Sequence, residues 1–295
     1  MNVFMKSIFC GIAAIGCFAV AASPTFAQPP TTHLDVAYDD GHPSQCLDVY
    51  LANSFSLTPV MIHIHGGGWR AGSKTHVPGW LMKLVHEGKL SVVSVEYRFT
   101  DVATHPAQVN DCLRAMQFVR QHADEWHIDT KRMGVTGGSA GGHLSAYVAL
   151  HDDAAKADSK DPVERLSSRL ACAVSFAGPT DWTLLSSIEH GHPAYRQLIG
   201  YEPGTAADKL DAKLVTDVSP ITFVSKDDPP IMQVHGDKDV IVPIQHASRL
   251  HEKLEAAGVT SELVVIPGGN HGVAGAGDAV SKRATQFVTK YLLSP

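Results

Sequence analysis

Residues 133–150 read Met-Gly-Val-Thr-Gly-Gly-Ser-Ala-Gly-Gly-His-Leu-Ser-Ala-Tyr-Val-Ala-Leu. A short apolar run ends in glycines, a single serine lies between them, and a helical pattern follows at once. The spacing Gly137-x-Ser139-x-Gly141 is typical of a nucleophile elbow, a sharp strand–turn–helix in which the serine takes a strained backbone conformation. Glycines are needed there because the strand and the helix pass too closely for any Cβ atom. The pattern predicts that Ser139 is a nucleophile.

The composition limits the class of protein. The chain has 295 residues, of which 44% are hydrophobic and 18% are charged, and its formal net charge is −6. This length suits one α/β domain with a sizeable core. Lysine and arginine are scattered along the sequence and form no basic stripe of the kind that nucleic acid or an anionic membrane surface requires. We therefore predict a globular protein that binds no nucleic acid.

The N-terminal residues have the pattern of an export signal. A basic n-region precedes an apolar run over 7–22, and a small-residue cleavage site ends at Ala27. The apolar run is too short for a transmembrane helix. We predict a signal peptide over 1–27, a mature domain over 28–295 without a membrane span, and a periplasmic or secreted location. Lipid attachment at Cys17 is the alternative.

Strand and helix patterns alternate along the mature chain. The predicted strands are 36–38, 47–51, 59–65, 91–99, 132–136, 170–176, 230–235 and 261–266. The predicted helices are 80–86, 107–123, 144–150, 243–257 and 278–293. The first two strands form an antiparallel hairpin. Strands this apolar cannot face water, so the alternation predicts an α/β fold with a mostly parallel sheet of about eight strands and helices on both faces.

Residues 178–228 interrupt this alternation. The stretch between the neighbouring strands is longer than a simple crossover needs, and glycine, proline and aromatic residues are spread among short helical pieces. We predict a crossover helix together with a small helical lid or cap. Aromatic side chains are expected to shape a substrate pocket, with packing inside the lid as the alternative. The candidates are Trp182 and Tyr195 within this segment and Trp69 outside it.

A serine hydroxyl needs a base, and the base needs an acid to orient it. In open α/β sheets such groups gather beyond the carboxyl ends of the strands. His271 fits the base, because it lies in a glycine-rich loop between the last predicted strand and the last helix. Asp239, in the loop after the preceding strand, is the preferred acid, since it lies far enough out to reach a neighbouring loop. Asp237 and, less well placed, Asp181 are the alternatives.

Three glycines follow the strand at 59–65 and offer donors for a developing oxyanion. A glycine loop lets successive backbone N–H groups point at one spot, and the N–H after the nucleophile supplies the other half of such a hole. The expected donors are Gly67, Gly68 and Ala140, while His65 is expected to brace the loop. His63 and His65 lie on one strand face, but no carboxylate accompanies them at metal-ligand spacing, so we predict no metal site.

These motifs resemble those of the α/β-hydrolase superfamily and, more closely, of bacterial esterases with HGGGW and GxSxG motifs, including feruloyl- and acetylxylan-esterase-like members. The resemblance covers nearly all of the mature chain. The motifs that carry it are Leu47-Asp-Val-Tyr50, His65-Gly-Gly-Gly-Trp69, Glu96-Tyr-Arg98, His105-Pro-Ala-Gln108 with Asp111, Gly137-Gly-Ser-Ala-Gly-Gly142, Gly178-Pro-Thr-Asp181, Ser219-Pro220, His235-Gly-Asp-Lys-Asp239 with Val242-Pro243, and Asn270-His271-Gly272.

The resemblance implies a serine carboxylesterase that works through Ser139, Asp239 and His271 and an acyl-enzyme. The order of these three residues along the chain is that of α/β-hydrolases. The implied substrate is a small-molecule or sugar-linked ester, and no cofactor is implied. Two alternatives stay open: an exported serine peptidase or acyl-peptide hydrolase, and a catalytically silent binding protein on the same fold.

Overall fold

The computed structural model describes residues 31–186, 192–273 and 277–294. The predicted signal peptide over 1–27, including Cys17, lies outside these residues. Within the described ranges, no helix is both long enough and apolar enough to cross a bilayer. The three cysteines of this part of the chain are free thiols: Cys46, Cys112 and Cys172.

Eight strands form one sheet. They are β1 (Thr31–Ala37), β2 (Cys46–Leu51), β3 (Thr58–Ile64), β4 (Ser91–Val95), β5 (Ile128–Gly138), β6 (Cys172–Phe176), β7 (Ile231–Gly236) and β8 (Ser261–Ile266). Their order across the sheet is β1-β2-β4-β3-β5-β6-β7-β8. β2 pairs antiparallel with both β1 and β4, and the other neighbouring strands pair in parallel. The predicted hairpin and the mostly parallel sheet of eight strands are confirmed.

Helices cover both faces of the sheet, as predicted. They are α1 (Gly79–His86), α2 (Ala107–Gln121), α3 (Ala140–Leu150), α4 (Ala194–Leu198), α5 (Ala212–Asp217), α6 (Gln245–Ala256) and α7 (Asp278–Val288), which a π-helical turn over Thr289–Leu293 continues. Successive strand residues point to opposite faces. Ile62 therefore packs in one core with α2, α3 and α6, while its neighbour Met61 packs in a second core with α1 and α7.

The segment 178–228 differs from the sequence prediction in one respect. Its described part contains no long crossover helix: the pieces are short, and the longest is α5 with six residues. Frequent proline and glycine explain this, since proline removes a backbone donor and clashes with the preceding turn, and glycine lowers helix stability. Ala194 and Tyr195 at the start of α4 line a cavity beside Ser139, so the segment forms one wall of the candidate site. Its role as a lid stays a prediction.

Candidate active site

Ser139 occupies the turn between the end of β5 and the start of α3. Its backbone has φ 56° and ψ −119°, the left-handed conformation expected of a nucleophile elbow. A Cβ atom at Gly137 would clash with the carbonyl of Ile64 and would lie 2.5 Å from the carbonyl carbon of Gly141. A Cβ at Gly141 would meet the carbonyl oxygens of Ile64 and His65. Neighbouring backbone atoms therefore leave no room for a side chain at Gly137 or Gly141, as the sequence predicts.

His271 joins Ser139 to Asp239 through its two ring nitrogens. Nε2 lies 2.8 Å from Ser139 Oγ, and Nδ1 lies 2.7 Å from Asp239 Oδ2. An ionised carboxylate can only accept, so Nδ1 holds the proton and Nε2 is free to accept the serine hydroxyl proton. The three residues follow β5, β7 and β8, whose carboxyl ends lie at one edge of the sheet. This hydrogen-bond chain is the arrangement that activates a serine for attack.

Asp239 is held rigidly in its ionised form. Its other oxygen, Oδ1, accepts hydrogen bonds from the backbone N–H groups of Ile241 and Val242, each at 2.9 Å. Burial raises the pKa of Asp239, but hydrogen bonds from His235, His271 and the Val242 N–H together lower it, and the net pKa is below the usual value of 3.8. The carboxylate therefore carries its charge at neutral pH and fixes the tautomer of the imidazole.

The two alternative acids lie in other networks. Asp237 Oδ1 accepts a hydrogen bond from the N–H of Gly268 at 2.7 Å and so ties the loop after β7 to the loop after β8. Asp181 forms an ion pair with Arg249 at 2.8 Å. Neither contacts His271, and of the three sequence candidates the structure brings only Asp239 to the imidazole.

The glycine loop after β3 presents free donors beside Ser139. Gly67 and Gly68 have φ values of 119° and 62°, which favour glycine, and both line the cavity that Ser139 lines. Within the described part of the chain, their N–H groups have no hydrogen-bond acceptor. Ala140 is the first residue of α3, so its N–H has no partner within the helix. The sequence predicts the same three N–H groups as oxyanion donors, and that role stays a prediction.

His65 holds this loop against the residues that follow β4. Its Nδ1 lies 2.7 Å from the carbonyl oxygen of Gly66, its Nε2 lies 2.7 Å from Glu96 Oε1, and its ring stacks on Tyr97 with 4.5 Å between the ring centroids. The Tyr97 hydroxyl donates in turn to the His65 carbonyl oxygen at 3.1 Å. Both ring nitrogens are engaged, which agrees with the bracing role expected for His65.

The predicted pocket aromatics lie in one buried cluster. Trp69 and Tyr195 line a cavity of about 440 Å³ together with Ser139 and His271. Trp182 is 1% exposed and does not line this cavity. Its indole N–H donates to the carbonyl oxygen of Tyr195 at 3.1 Å. The structure therefore brings Trp69 and Tyr195 to the cavity and places Trp182 behind them, where it supports the wall.

His143 is a site residue that the sequence reasoning missed. It is fully buried on the first turn of α3 and accepts a hydrogen bond at Nδ1 from the indole N–H of Trp69, at 3.2 Å. Its Nε2–H donates to the carbonyl oxygen of Val218 at 2.9 Å. Burial lowers the pKa of His143 to about 3, so the imidazole is neutral. The available signal was its place in the elbow motif, four residues after Ser139.

A second cavity of about 310 Å³ adjoins the first, and Ser139 and His271 line both. Its other walls include His63 on β3, Trp80 on α1 and Phe176 at the end of β6. The two cavities therefore meet at Ser139 and His271. Across residues 31–186, 192–273 and 277–294, no group of three or more His, Cys, Asp or Glu side chains is arranged to hold a metal ion.

The sheet order, the elbow and the hydrogen-bond chain at the strand ends together define an α/β-hydrolase. The model of the BD-FAE family matches residues 47–254, and the chain belongs to this family. It is 32% identical over 230 residues to the probable carboxylic ester hydrolase LipM of Mycobacterium tuberculosis, covering 75% of this chain and 51% of that protein. With esterase LipC of the same organism it is 29% identical, over 80% of this chain and 59% of LipC. The chain thus spans little more than half the length of these relatives.

Two solved structures resemble the whole fold. A truncated carbohydrate esterase from gut microbiota has a TM-score of 0.80 and 28% identity, covering 92% of this chain and 99% of that one. An acetyl ester-xyloside bifunctional hydrolase from Caldicellulosiruptor lactoaceticus has a TM-score of 0.70 and 28% identity, covering 83% and 88%. These structures confirm the predicted fold and its resemblance to esterases of this kind.

Proposed function

We propose that this chain is a serine carboxylesterase. The observation that carries the proposal is the hydrogen-bond chain from Ser139 Oγ through His271 to Asp239, with distances of 2.8 and 2.7 Å. Family membership and the names of the relatives support ester hydrolysis as the reaction. Unpaired N–H groups beside the serine support the same reaction, since acyl transfer needs donors for a developing oxyanion.

In the first half of the reaction, Ser139 Oγ attacks the carbonyl carbon of the ester while its proton passes to His271 Nε2. Asp239 stabilises the resulting imidazolium through the hydrogen bond at Nδ1. The carbonyl oxygen takes the electron pair of its π bond and becomes an oxyanion, which the N–H groups of Gly67, Gly68 and Ala140 stabilise. The intermediate then collapses, the ester C–O bond breaks, and His271 returns the proton to the leaving alcohol.

In the second half, water hydrolyses the acyl-enzyme. His271 Nε2 takes a proton from the water as its oxygen attacks the acyl carbonyl, and the oxyanion forms again at the same donors. When this intermediate collapses, the bond to Ser139 Oγ breaks and the imidazolium protonates the serine. The carboxylic acid leaves and the free enzyme is restored. Each half needs only the side chains named above and the backbone donors.

The substrate we propose is a small-molecule or sugar-linked ester. The two cavities beside Ser139 measure about 440 and 310 Å³, which suits substituents of modest size. Two solved structures that share 28% identity with the chain are a carbohydrate esterase and an acetyl ester-xyloside bifunctional hydrolase. A small acyl group in one cavity and an alcohol in the other would satisfy both observations.

We also propose that the enzyme is exported. The support is the n-region, the apolar run and the cleavage site within residues 1–27. Cell fractionation and mass spectrometry of the N-terminus test this proposal. A mature chain that begins at Gln28 outside the cytoplasm is the expected result. Lipid on Cys17 would favour the lipoprotein alternative, and an intact N-terminus in the cytoplasm would contradict export.

A fluorophosphonate probe tests the proposed nucleophile. We expect the probe to label the wild-type protein and not Ser139→Ala, and the substitution to abolish hydrolysis of p-nitrophenyl acetate. Equal labelling of both proteins would contradict the assignment of Ser139. Faster turnover of aminoacyl or acyl-peptide amides than of esters would favour the peptidase alternative. Absence of both labelling and turnover in the wild type would favour a silent binding protein.

A further inference from the structure

His63 is a buried histidine that the proposed mechanism does not use. It lies on β3, is 4% exposed, and lines the 310 Å³ cavity beside Ser139. The Ser94 hydroxyl donates to the Lys74 carbonyl oxygen at 2.6 Å, and His63 Nδ1 lies 2.9 Å from the same hydroxyl. Because Ser94 Oγ has only one proton and gives it to Lys74, it must accept from His63. The proton of the imidazole is therefore on Nδ1.

This arrangement leaves the lone pair of His63 Nε2 without a partner. Nε2 has no hydrogen bond to any residue of the described part of the chain. Although most of the His63 side chain is buried, Nε2 is not one of the fully buried polar atoms without a partner in the described part of the chain. Nε2 can therefore be reached from the cavity. Burial, with a smaller contribution from the neighbouring His65, lowers the pKa of His63 to about 3. The ring is neutral, and Nε2 is an acceptor at neutral pH.

We infer that His63 Nε2 accepts a hydrogen bond from a hydroxyl group of the ester substrate. The inference rests on the proposed esterase function and names a feature that its substrate carries. A neutral imidazole nitrogen with a fixed tautomer selects a donor, and a hydroxyl is the donor that both polyol alcohols and hydroxylated acids possess. Trp80 and Phe176 give the same cavity an aromatic wall for the carbon skeleton that bears the hydroxyl.

The position of His63 sets the distance between this hydroxyl and the ester. His63 pairs in register with Thr136, which lies three residues before Ser139 on β5. At a strand rise of about 3.3 Å per residue, the Cα atom of His63 lies about 10 Å along the strand direction from that of Ser139. The hydroxyl that reaches it is therefore at the far end of a substituent and not adjacent to the ester bond.

Two pairs of substrates test the inference and distinguish the two halves of the ester. Hexanediol monoacetate and hexyl acetate differ by a terminal hydroxyl on the alcohol. The methyl esters of para-hydroxyphenylpropanoic and phenylpropanoic acid differ by a hydroxyl on the acyl group. Because a neutral hydrogen bond changes kcat/KM by about fivefold, the wild type should favour the hydroxylated member of one pair by about that factor.

Two substitutions of His63 separate recognition from folding. In His63→Asn the side-chain amide can still donate to Ser94 but nothing replaces Nε2, so we expect the preference for the hydroxylated ester to fall to about one. In His63→Gln the amide reaches the position of Nε2 and should retain most of the preference. The matched control is His251→Asn on α6, where Nδ1 also bonds to a serine, Ser261, at 2.8 Å. This control should keep the wild-type ratio.

The outcomes are distinct from those that test the proposed function. A wild type without preference in either pair, or a His63→Asn variant that keeps the wild-type ratio, would overturn the inference while leaving esterase activity intact. Failure of the wild type to hydrolyse any ester would contradict the proposed function itself. Thermal unfolding of each variant shows whether it is folded. If His63→Asn does not fold, His63→Leu takes its place, because leucine offers no acceptor at the position of Nε2 and the preference should again fall to about one.

Discussion

The indole N–H of Trp69 donates to Nδ1 of His143 at 3.2 Å and so joins the glycine loop after β3 to the first turn of α3. Trp69 has a φ of 57°, a left-handed conformation that costs a bulky residue about 1–3 kcal/mol and persists only where its surroundings hold it. Gly67 and Gly68 lie on one side of this contact and Ala140 on the other. The contact therefore sets the position of the proposed oxyanion donors relative to one another.

Replacing Trp69 by Phe should lower kcat more than it changes KM. The substitution keeps an aromatic ring in the cluster but leaves the buried Nδ1 of His143 without its donor. Removal of an oxyanion donor typically costs 10²–10³ in kcat, so displacement of the loop should cost about tenfold. Steady-state kinetics with p-nitrophenyl acetate measure the change. Trp69 also lines the larger cavity, so the ratio of the kcat effect to the KM effect is the informative quantity.

Trp126→Phe provides the control for this substitution. Trp126 is 3% exposed and stacks on His122, away from both cavities. We expect it to lower the melting temperature without reducing kcat. If Trp69→Phe likewise lowers only the melting temperature, the contact with His143 has no part in positioning the donors.

Asp239→Asn should reduce kcat by about 10³–10⁴, because an amide at this position favours the wrong imidazole tautomer. The variant retains an oxygen for the N–H groups of Ile241 and Val242, so the loop should keep its conformation. Asp237→Asn is the matched control: its amide oxygen can still accept from Gly268, and kcat should stay within about twofold of the wild type. The reverse pattern in single-turnover hydrolysis would reassign the acid to Asp237.

The fold was predictable where one local pattern decided the structure. Runs of apolar residues mark the central strands because these strands are buried on both faces. The elbow is recognisable because glycines lie two residues before Ser139 and two residues after it. The ends of the strands were predicted less accurately. β5 begins at Ile128, four residues before the predicted start. The prediction missed this part of the strand because most of its residues are polar. β4 ends at Val95, four residues before the predicted end. There Glu96 turns toward His65, a contact across 31 residues that no local pattern contains.

The same limit applies to the candidate site. Ser139, Asp239 and His271 were predictable because each follows a strand at the same edge of the sheet. The role of His143 was not, because its place four residues after Ser139 does not show which group it contacts, and its partner Trp69 is 74 residues away. The tautomer of His63 depends likewise on Ser94, whose strand is adjacent to β3 only in the folded protein.

Gly141→Ala should destabilise the protein or prevent it from folding. The added methyl group would meet the carbonyl oxygens of Ile64 and His65, which belong to backbone and cannot move aside as a side chain can. We expect a loss of about 3 kcal/mol or more in the free energy of unfolding, measured in urea. Gly79→Ala is the control, because a Cβ there meets no atom within 4 Å. A small loss at Gly141 would mean that the elbow can widen.

The contact between Glu96 and the glycine loop should make stability depend on pH. Glu96 Oε1 lies 2.7 Å from His65 Nε2, and Oε2 accepts from the Lys74 N–H at 3.1 Å. Burial raises the pKa of Glu96. The hydrogen bond and charge of His65, together with the N–H and charge of Lys74, lower it by more, so the net pKa is below 4.5. The folded protein then binds fewer protons than the unfolded chain near that pH, and stability rises with pH there.

Glu96→Gln should therefore lose stability at pH 7 and lose less as the pH falls. At pH 7 the ionised carboxylate contributes in full, and its replacement should cost about 1–3 kcal/mol in the free energy of unfolding. As the pH falls from about 4.5 through the lower pKa of Glu96 in the folded protein, the wild-type carboxylate becomes protonated, so the two free energies of unfolding should converge. Asp239 is present in both proteins, and its own titration cancels from the difference. Glu252→Gln, at an exposed position on α6, is the control and should show no such convergence. A difference between wild type and Glu96→Gln that stays constant from pH 7 to about pH 3 would mean that the charge of Glu96 does not stabilise the loop.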